Sequence, residues 1–441
     1  MKLVVSPGAR LTGATGQGSG NPLPGDKSLS HRAALFAALA EGESVIDNFL
    51  VSGVTDAMLN ALTDLNVAWE LKGSRLLVQG GGFAGMRASQ SAIYCGNSAT
   101  TLRLLAGALA AAGIPAILDG SPGLRSRPMM RIVEPLKMMG VPVEASGEGT
   151  APLALASRPF DQPLKALRYA MPQASAQVKS CLLLAALAGD GPTTIIEPAP
   201  TRDHTERMLS AMGVQVVKQT YAAITLVPPQ PLRLHPLTLE LPGDFSAAAF
   251  LIVAALIAPG SQVLLTGVGL NSGRTGLLEA LWSMGADIEL ASRTERGNEP
   301  VGDILVRSSN LHGTRIQGEL VARMIDEFPA FSVAAAYADG ATQVCDAEEL
   351  RYKESDRIAA LCQELRKVGI AADETPDGFT ISGGGVLGGC VDSHRDHRIA
   401  MALAVAGLAA KSPVEVEGAE IIHESFPNFT GVLRSLGAEI H

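Results

Sequence analysis

The sequence is most informative first in what it lacks. Aromatic residues make up only 4% of the 441 residues while 47% are hydrophobic, so the core must come from Leu, Ala, Val and Ile packed on helices and sheets. A basic surplus is missing: the net charge is −9, which argues against nucleic acid, whose phosphates demand a broad basic surface. Cysteine is scarce. Cys95, Cys181, Cys345, Cys362 and Cys390 are scattered and never in CxxC spacing, a pattern that fits a reducing compartment and excludes a disulfide framework or a zinc site. The opening MKLVVSPGARLTG has no apolar core of a signal peptide. The longest apolar stretches, such as 246–259, are too short to span a bilayer. The expectation is a cytoplasmic protein of two domains, since a chain this long exceeds one ordinary core.

What is present is repetition. An amphipathic helix ending in a left-handed cap and running into a strand recurs six times: LTDLNVAWE, LKMMGVPVE, LSAMGVQVV, LWSMGADIE, LRKVGIAAD and LRSLGAEI. The cap positions are Asn66, Gly140, Gly213, Gly285, Gly369 and Gly437. Glycine, or asparagine as second choice, belongs where the chain takes positive φ after the last helical turn. A second helix type, apolar all round and therefore buried, recurs in the same rhythm: SHRAALFAALAEG, TTLRLLAGALAAAG, QVKSCLLLAALAGDG, SAAAFLIVAALIAPG, EFPAFSVAAAYADG and RIAMALAVAGLAAK. Six such units make two domains of three. LPGD occurs at 23–26 and again at 241–244, as though each domain opens alike. The proline-rich 228–242 segment reads as a crossover. The expected division is 24–241 for one domain and 1–23 plus 242–441 for the other.

Polar residues interrupt the pattern at the starts of the buried helices: Lys27 and Ser28, Asn97 and Ser98, Ser175 to Gln177, Asp244, Asp326 and Glu327, and Asp396 to Arg398. Ser, Asn and Asp there are ordinary N-caps. Cations are not, because a Lys or Arg at the positive end of a helix is unfavourable by roughly 0.3–1 kcal/mol. Lys27, Lys353 and Arg398 nevertheless sit at or near such starts, and repeated breaches of a local rule mark functional sites. A bound phosphate or carboxylate would reverse the sign of the cost. Further basic residues lie close in sequence: Arg32, Arg103, Arg125, Arg127, Lys179, Arg202, Arg351 and Arg357. Taken singly, each reads as a solvated surface residue. PGDKS is not a P-loop, since Asp26 separates Gly25 from Lys27, and TGATGQGSG lacks a strand–GxGxxG–helix context. His394 and His397 do not make a metal site.

Together LPGDKSLSHRA, CGNSATTLR, SRPM, ASAQVKS, TRDHTE, IDEFPA, RYKESDR, DHRIAMA and SFPNF resemble, in order, the motifs of the 5-enolpyruvylshikimate-3-phosphate (EPSP) synthases. The resemblance implies an α/β fold: a two-domain inside-out α/β barrel, the enolpyruvyl transferase fold, of six βαβαββ units with the active site in the interdomain cleft. It implies transfer of the carboxyvinyl group of phosphoenolpyruvate to the 5-hydroxyl of shikimate 3-phosphate, in the shikimate pathway of aromatic amino acid synthesis, by a cytoplasmic monomer with no metal, organic cofactor, nucleic acid or membrane. By matching motif, Lys27, Ser28 and Arg32 hold shikimate 3-phosphate, Lys27 reaching phosphoenolpyruvate too. Ser175, Ala176 and Gln177 line the same substrate, and Arg202 meets its phosphate. Arg127, Arg357 and Arg398 clamp phosphoenolpyruvate; Asp326 and Lys353 contact the reacting hydroxyl. Asp326, Glu354 and Lys27 form the acid–base set.

Two departures narrow the expectation. Ala99 stands where the family has glycine, and Ala176 where it has a second serine, as in the class II subgroup. A methyl at Ala99 would crowd the ligand's approach to backbone, which implies tolerance to glyphosate. Glu349 and Glu424 stand at positions where other members carry ligand residues, and receive no role. The rival in the same reaction class is the UDP-N-acetylglucosamine enolpyruvyl transferase, whose loop before the RP motif usually carries a cysteine; DGSPGLRSRPM has none. The rival from another class is a catalytically silent anion-binding protein of the same repeats.

Overall fold

The computed structural model describes residues 1–20 and 22–441. It divides into two compact units: Met1–Pro24 with Pro242–Glu295 and Pro300–His441, and Gly25–Leu241 with Arg296–Glu299. The four residues 296–299 correct the division drawn from the sequence, which gave them to the other unit. They belong with 25–241 because Glu299 Oε1 lies 2.7 Å from His204 Nδ1 and the Asn298 carbonyl accepts from Arg207 at 2.7 Å. Each unit has its own continuous apolar core. No helix is long and apolar enough to cross a membrane among the described residues.

The six apolar helices form where the pattern places them. They are α1 (Lys27–Leu39), α2 (Ala99–Ala112) and α3 (Ala176–Ala186) in one unit, and α4 (Phe245–Ile257), α5 (Phe328–Tyr337) and α6 (His397–Gly407) in the other. Every residue of α4 is buried, so the helix has no solvent face to make it amphipathic. The other helix type ends as its sequence demands: Asn66, Gly140, Gly213, Gly285, Gly369 and Gly437 all have positive φ, from 61° to 111°.

Around the buried helices, the described residues form six small sheets, five of four strands and one of three. In the sheet of α2, Ile93–Tyr94 runs parallel to Ala116–Asp119, which pairs antiparallel with Leu153–Leu155, itself antiparallel to Val143–Ala145. A parallel pair needs a long crossover, and here the buried helix supplies it. Two first strands are exchanged. Thr12–Gly16, ahead of α1, runs parallel to Gln262–Gly269 in the sheet of α4, whereas Thr238–Glu240, ahead of α4, runs parallel to Glu41–Asp47 in the sheet of α1. The sixth sheet borrows Lys2–Val5, antiparallel to Val414–Glu417. The strand expected after Gly437 is reduced to a single bridge, Val5 to Ile440.

The buried helices pack at backbone distance. A Cβ on Gly107 in α2 would stand 2.2 Å from the carbonyl oxygen of Cys181 in α3, far inside van der Waals contact, so only hydrogen fits. Gly25 is held the same way, 1.7 Å between its would-be Cβ and the Asn48 carbonyl oxygen. Gly107→Ala therefore forces α2 and α3 apart and is expected to cost about 1–3 kcal/mol, seen as a lower denaturant midpoint; an unchanged midpoint contradicts the packing.

Candidate active site

The starts of α1, α2 and α3 gather one group of predicted residues. Asp26 caps α1 by accepting from the Leu29 amide, Ser98 caps α2 through Thr101, and Ser175 caps α3 through Val178. Lys27 and Ser28 occupy the first turn of α1, Ala99 opens α2, and Ala176 and Gln177 open α3. The tips are tied to one another. His31 Nε2 lies 3.1 Å from Ser98 Oγ and its Nδ1 lies 2.8 Å from the Lys27 carbonyl. Burial pushes the His31 imidazole down to about 4. The ring is therefore neutral at ordinary pH, with Nδ1 donating to the carbonyl and Nε2 accepting from the serine. Gln177 Oε1 accepts from Arg103 Nη1 at 2.6 Å, and its Nε2 donates to Thr100 Oγ1 at 2.8 Å. Arg127 Nη2 lies 3.5 Å from Asn97 Oδ1, which also accepts from Ser121 Oγ. That sets Arg127 beside the tip that Ala99 opens.

Arg32 is placed beneath this surface rather than on it. Its side chain is buried, with Nε donating to Thr205 Oγ1, Nη2 to Ser180 Oγ, and Nη1 to both the carbonyl and the hydroxyl of Ser28. Arg202 lies on the loop between the strand Thr193–Ile196 and the helix His204–Ala211. Of the basic residues read singly as solvated, Arg32, Arg103, Arg127, Lys179 and Arg357 are buried. Arg125 is exposed and bonds Asp119 at 2.8 Å, and Arg351 is tied to Asp356 and the Thr375 carbonyl.

The second group lies in the other unit, at the starts of α4, α5 and α6. Asp244 caps α4 and Asp396 caps α6; α5 opens behind Glu327, with Pro329 removing one amide from its first turn. Arg357, 0% exposed, joins the group. Its Nε donates to Asp396 Oδ2 at 2.8 Å and its Nη2 to Asp396 Oδ1 at 3.2 Å and Glu354 Oε2 at 2.7 Å. Asp326 Oδ1 is 3.8 Å from Nη1, and Nη1 makes no hydrogen bond among the described residues. Arg398 Nη1 donates to the Asp326 carbonyl at 2.8 Å. Behind these, Arg274 Nη2 reaches Asp244 Oδ1 at 3.1 Å and Ser246 Oγ at 2.8 Å, and that hydroxyl donates to Glu327.

Two sequence expectations are corrected here. Lys353 is not at a helix start: it follows a short 3-10 turn, Glu348–Tyr352, and the next helix begins at Arg357 behind the cap Asp356. The cations at helix tips also do not all await an external anion. Asp396, Glu354 and Asp326 already surround Arg357. Sequence reasoning also set aside Arg103 and passed over His31, Ser246 and Arg274. For His31, Arg103 and Ser246 the available signal was a charged or polar side chain inside a helix otherwise apolar all round, a place such groups enter only when paired; Arg274 lies in the loop before the helix Gly276–Ser283 and carried no such signal.

The electrostatics follow from this wiring. Burial alone would raise the Asp396 carboxyl, but the Arg357 guanidinium outweighs it and holds the group below the usual carboxylate range. Burial raises Glu327, with Asp326 adding to it against Arg274 and Arg398. Burial pulls the Lys353 ammonium below its usual value against the opposing pull of Asp326 and Glu349, which places the unassigned Glu349 beside it. Glu424 ends the 3-10 turn Ala419–Glu424. His394 Nε2 is held by Glu364 at 2.7 Å and His397 is buried at the start of α6, so the two do not act as a pair.

The EPSP synthase (3-phosphoshikimate 1-carboxyvinyltransferase) family model matches residues 19–433. The chain belongs to the EPSP synthase family. It is 46% identical over 431 residues to a 3-phosphoshikimate 1-carboxyvinyltransferase of Herpetosiphon aurantiacus, covering 97% of this chain and 98% of that one. It is 48% identical over 416 residues to the enzyme of the same name from Xanthomonas campestris pv. campestris, covering 94% of each. The EPSP synthase of Acinetobacter baumannii superposes with a TM-score of 0.86 at 40% identity, over 100% of this chain and 99% of that one. The enolpyruvyl transferase NikO of Streptomyces tendae shares the fold alone, at TM-score 0.79, 18% identity and coverage of 100% and 98%. The architecture expected from the repeats is therefore that of the family.

Asp396 offers a pH test. Its folded-state pKa is depressed, so its contribution to stability is present above the unfolded value of about 3.9 and is lost as pH falls through the lower folded value. Asp396→Asn, which removes the buried charge on which Arg357 makes two hydrogen bonds, is expected to cost about 3–5 kcal/mol at pH 7. The gap to the unsubstituted protein should narrow below about pH 4. Denaturant unfolding at several pH values measures it, and a gap that widens on acidification contradicts the pairing.

Proposed function

We propose that this chain transfers the carboxyvinyl group of phosphoenolpyruvate to the 5-hydroxyl of shikimate 3-phosphate and releases phosphate. The observation that carries the reading is the convergence on Arg357: one guanidinium holds Glu354 at 2.7 Å and lies 3.8 Å from Asp326. That brings together two carboxylates able to exchange protons with different atoms of one reacting pair. Asp326 takes the proton of the 5-hydroxyl as its oxygen attacks the central carbon of phosphoenolpyruvate. Glu354, with Lys27, protonates the methylene carbon. The tetrahedral intermediate then returns a proton from the new methyl group and expels phosphate, restoring the double bond. Lys27, Arg127, Arg357 and Arg398 supply fixed positive charge to the phosphate and carboxylate of phosphoenolpyruvate. Ser28, Ser175, Ala176, Gln177 and Arg202 receive shikimate 3-phosphate. Arg32 serves by holding Ser28, and Lys353 by meeting the reacting hydroxyl.

Such a site works best where cations and carboxylates are fixed before substrate arrives, since no reorganisation is then needed during the reaction. A silent anion-binding protein is disfavoured because both carboxylates and the clamp arginines are present. The reading includes a cytoplasmic monomer, which suits five free thiols.

An assay of phosphate release from the two substrates tests the function: turnover is expected, and Asp326→Asn or Glu354→Gln should lower kcat by about 100-fold or more. Turnover with UDP-N-acetylglucosamine and none with shikimate 3-phosphate overturns it. The same reading includes glyphosate tolerance through the buried methyl of Ala99. Ala99→Gly is expected to lower the glyphosate inhibition constant by about tenfold, the scale of one methyl in a tight pocket; an unchanged constant discards the idea.

A further inference from the structure

Lys179 is the one strongly basic residue of α3, and it points to no tip. Its ammonium is buried, 2.7 Å from Glu206 Oε1 and 3.0 Å from Glu197 Oε2, with the Thr201 carbonyl at 3.5 Å. Side-chain exposure is 1% for Lys179, 2% for Glu197 and 10% for Glu206. Thr201 Oγ1 donates to the other oxygen of Glu197. Burial opposes the charge on Lys179, but Glu206 and Glu197 outweigh it and hold the ammonium pKa above its usual value. Three buried ionisable groups are a poor way to gain stability, since desolvation takes back most of the attraction. Their arrangement is informative instead. Glu197 stands at the end of the strand Thr193–Ile196, Glu206 is in the helix His204–Ala211, and Lys179 is one turn into α3. The triad therefore clasps both ends of the loop 197–203, in which Pro198 and Pro200 already fix φ, at the residue before Arg202.

We propose that Lys179, through Glu197, Glu206 and Thr201, is a positioning residue that sets the loop carrying Arg202 against the start of α3, and so governs affinity for the phosphate of shikimate 3-phosphate without touching it. This rests on the reading that Arg202 meets that phosphate. A second link runs the same way: Ser180 Oγ and Thr205 Oγ1, 2.6 Å apart, both accept from Arg32, which holds Ser28. The loop, the start of α3 and the start of α1 thus share one buried polar frame. A frame of this kind acts on binding of one substrate, not on the chemical step.

Steady-state kinetics of the full-length protein and of Lys179→Met, Thr201→Val, Arg202→Ala and the Lys179→Met/Arg202→Ala double variant test the proposal. Lys179→Met and Thr201→Val are each expected to raise KM for shikimate 3-phosphate about tenfold, leaving kcat and KM for phosphoenolpyruvate within about twofold, and the double variant should be no worse than Arg202→Ala alone. Thr201→Val decides the matter should Lys179→Met fail to fold. The proposal is overturned by an unmoved KM for shikimate 3-phosphate in Thr201→Val, by multiplying effects in the double variant, or by parallel changes in both KM values and kcat. An Arg202→Ala variant with unaltered KM instead shows that the role given to Arg202 is wrong, and the inference built on it falls for that separate reason.

Discussion

A helix buried along its length must still satisfy the amides of its first turn, and how this chain does so governs everything near the candidate site. Five of the six buried helices close that turn with a side-chain oxygen, from Asp26, Ser98, Ser175, Asp244 or Asp396. The sixth dispenses with one amide through Pro329. Because the caps are the last polar groups before an apolar interior, other polar groups attach themselves to the caps. Asp396 binds both an amide of its own helix and the guanidinium of Arg357; Ser98 binds its amide and His31. The caps are thus junctions in a hydrogen-bonded frame, and the frame holds the candidate catalytic groups.

The two units use this device with opposite chemistry. The tips of α1, α2 and α3 are closed by one acid and two serines and carry Lys27, Arg127 and Gln177, a surface suited to accept negative charge. The tips of α4, α5 and α6 gather Asp244, Asp326, Glu327, Glu354 and Asp396 around Arg274, Arg357 and Arg398. Carboxylates so crowded would repel one another if bare. Arg357 holds the Asp396 carboxyl below its usual range, while burial and Asp326 raise Glu327.

Much of this was legible in the sequence because it is local. The cap glycines, the apolar helices and the polar residues at their starts are each set by a few neighbouring residues, and all appear in the structure. The failures were non-local. Arg32 meets partners 148 and 173 positions away and Arg103 one 74 positions away, separations that no periodicity reports. Lys353 was placed at or near the start of a buried helix, whereas it follows the 3-10 turn Glu348–Tyr352 and Asp356 caps the next helix.

The misjudged cations carry the larger lesson. A positive side chain at a positive helix end signals an anion, yet the anion can be the protein's own. Arg357 is the instructive case, since Asp396 and Glu354 occupy two of its nitrogens while Nη1 makes no hydrogen bond among the described residues. An internal partner does not remove such a residue from function. It fixes the guanidinium plane, so that the remaining nitrogen is presented in one orientation, and a planar five-donor fork held on one side is a more selective receptor than a freely rotating ammonium. Lys179 lies at the other extreme: its ammonium is held by Glu206 and Glu197, so whatever it contributes must pass through the backbone it holds. The two differ in geometry: acids enclose the Lys179 ammonium, whereas they meet Arg357 through Nε and Nη2 and fix its plane.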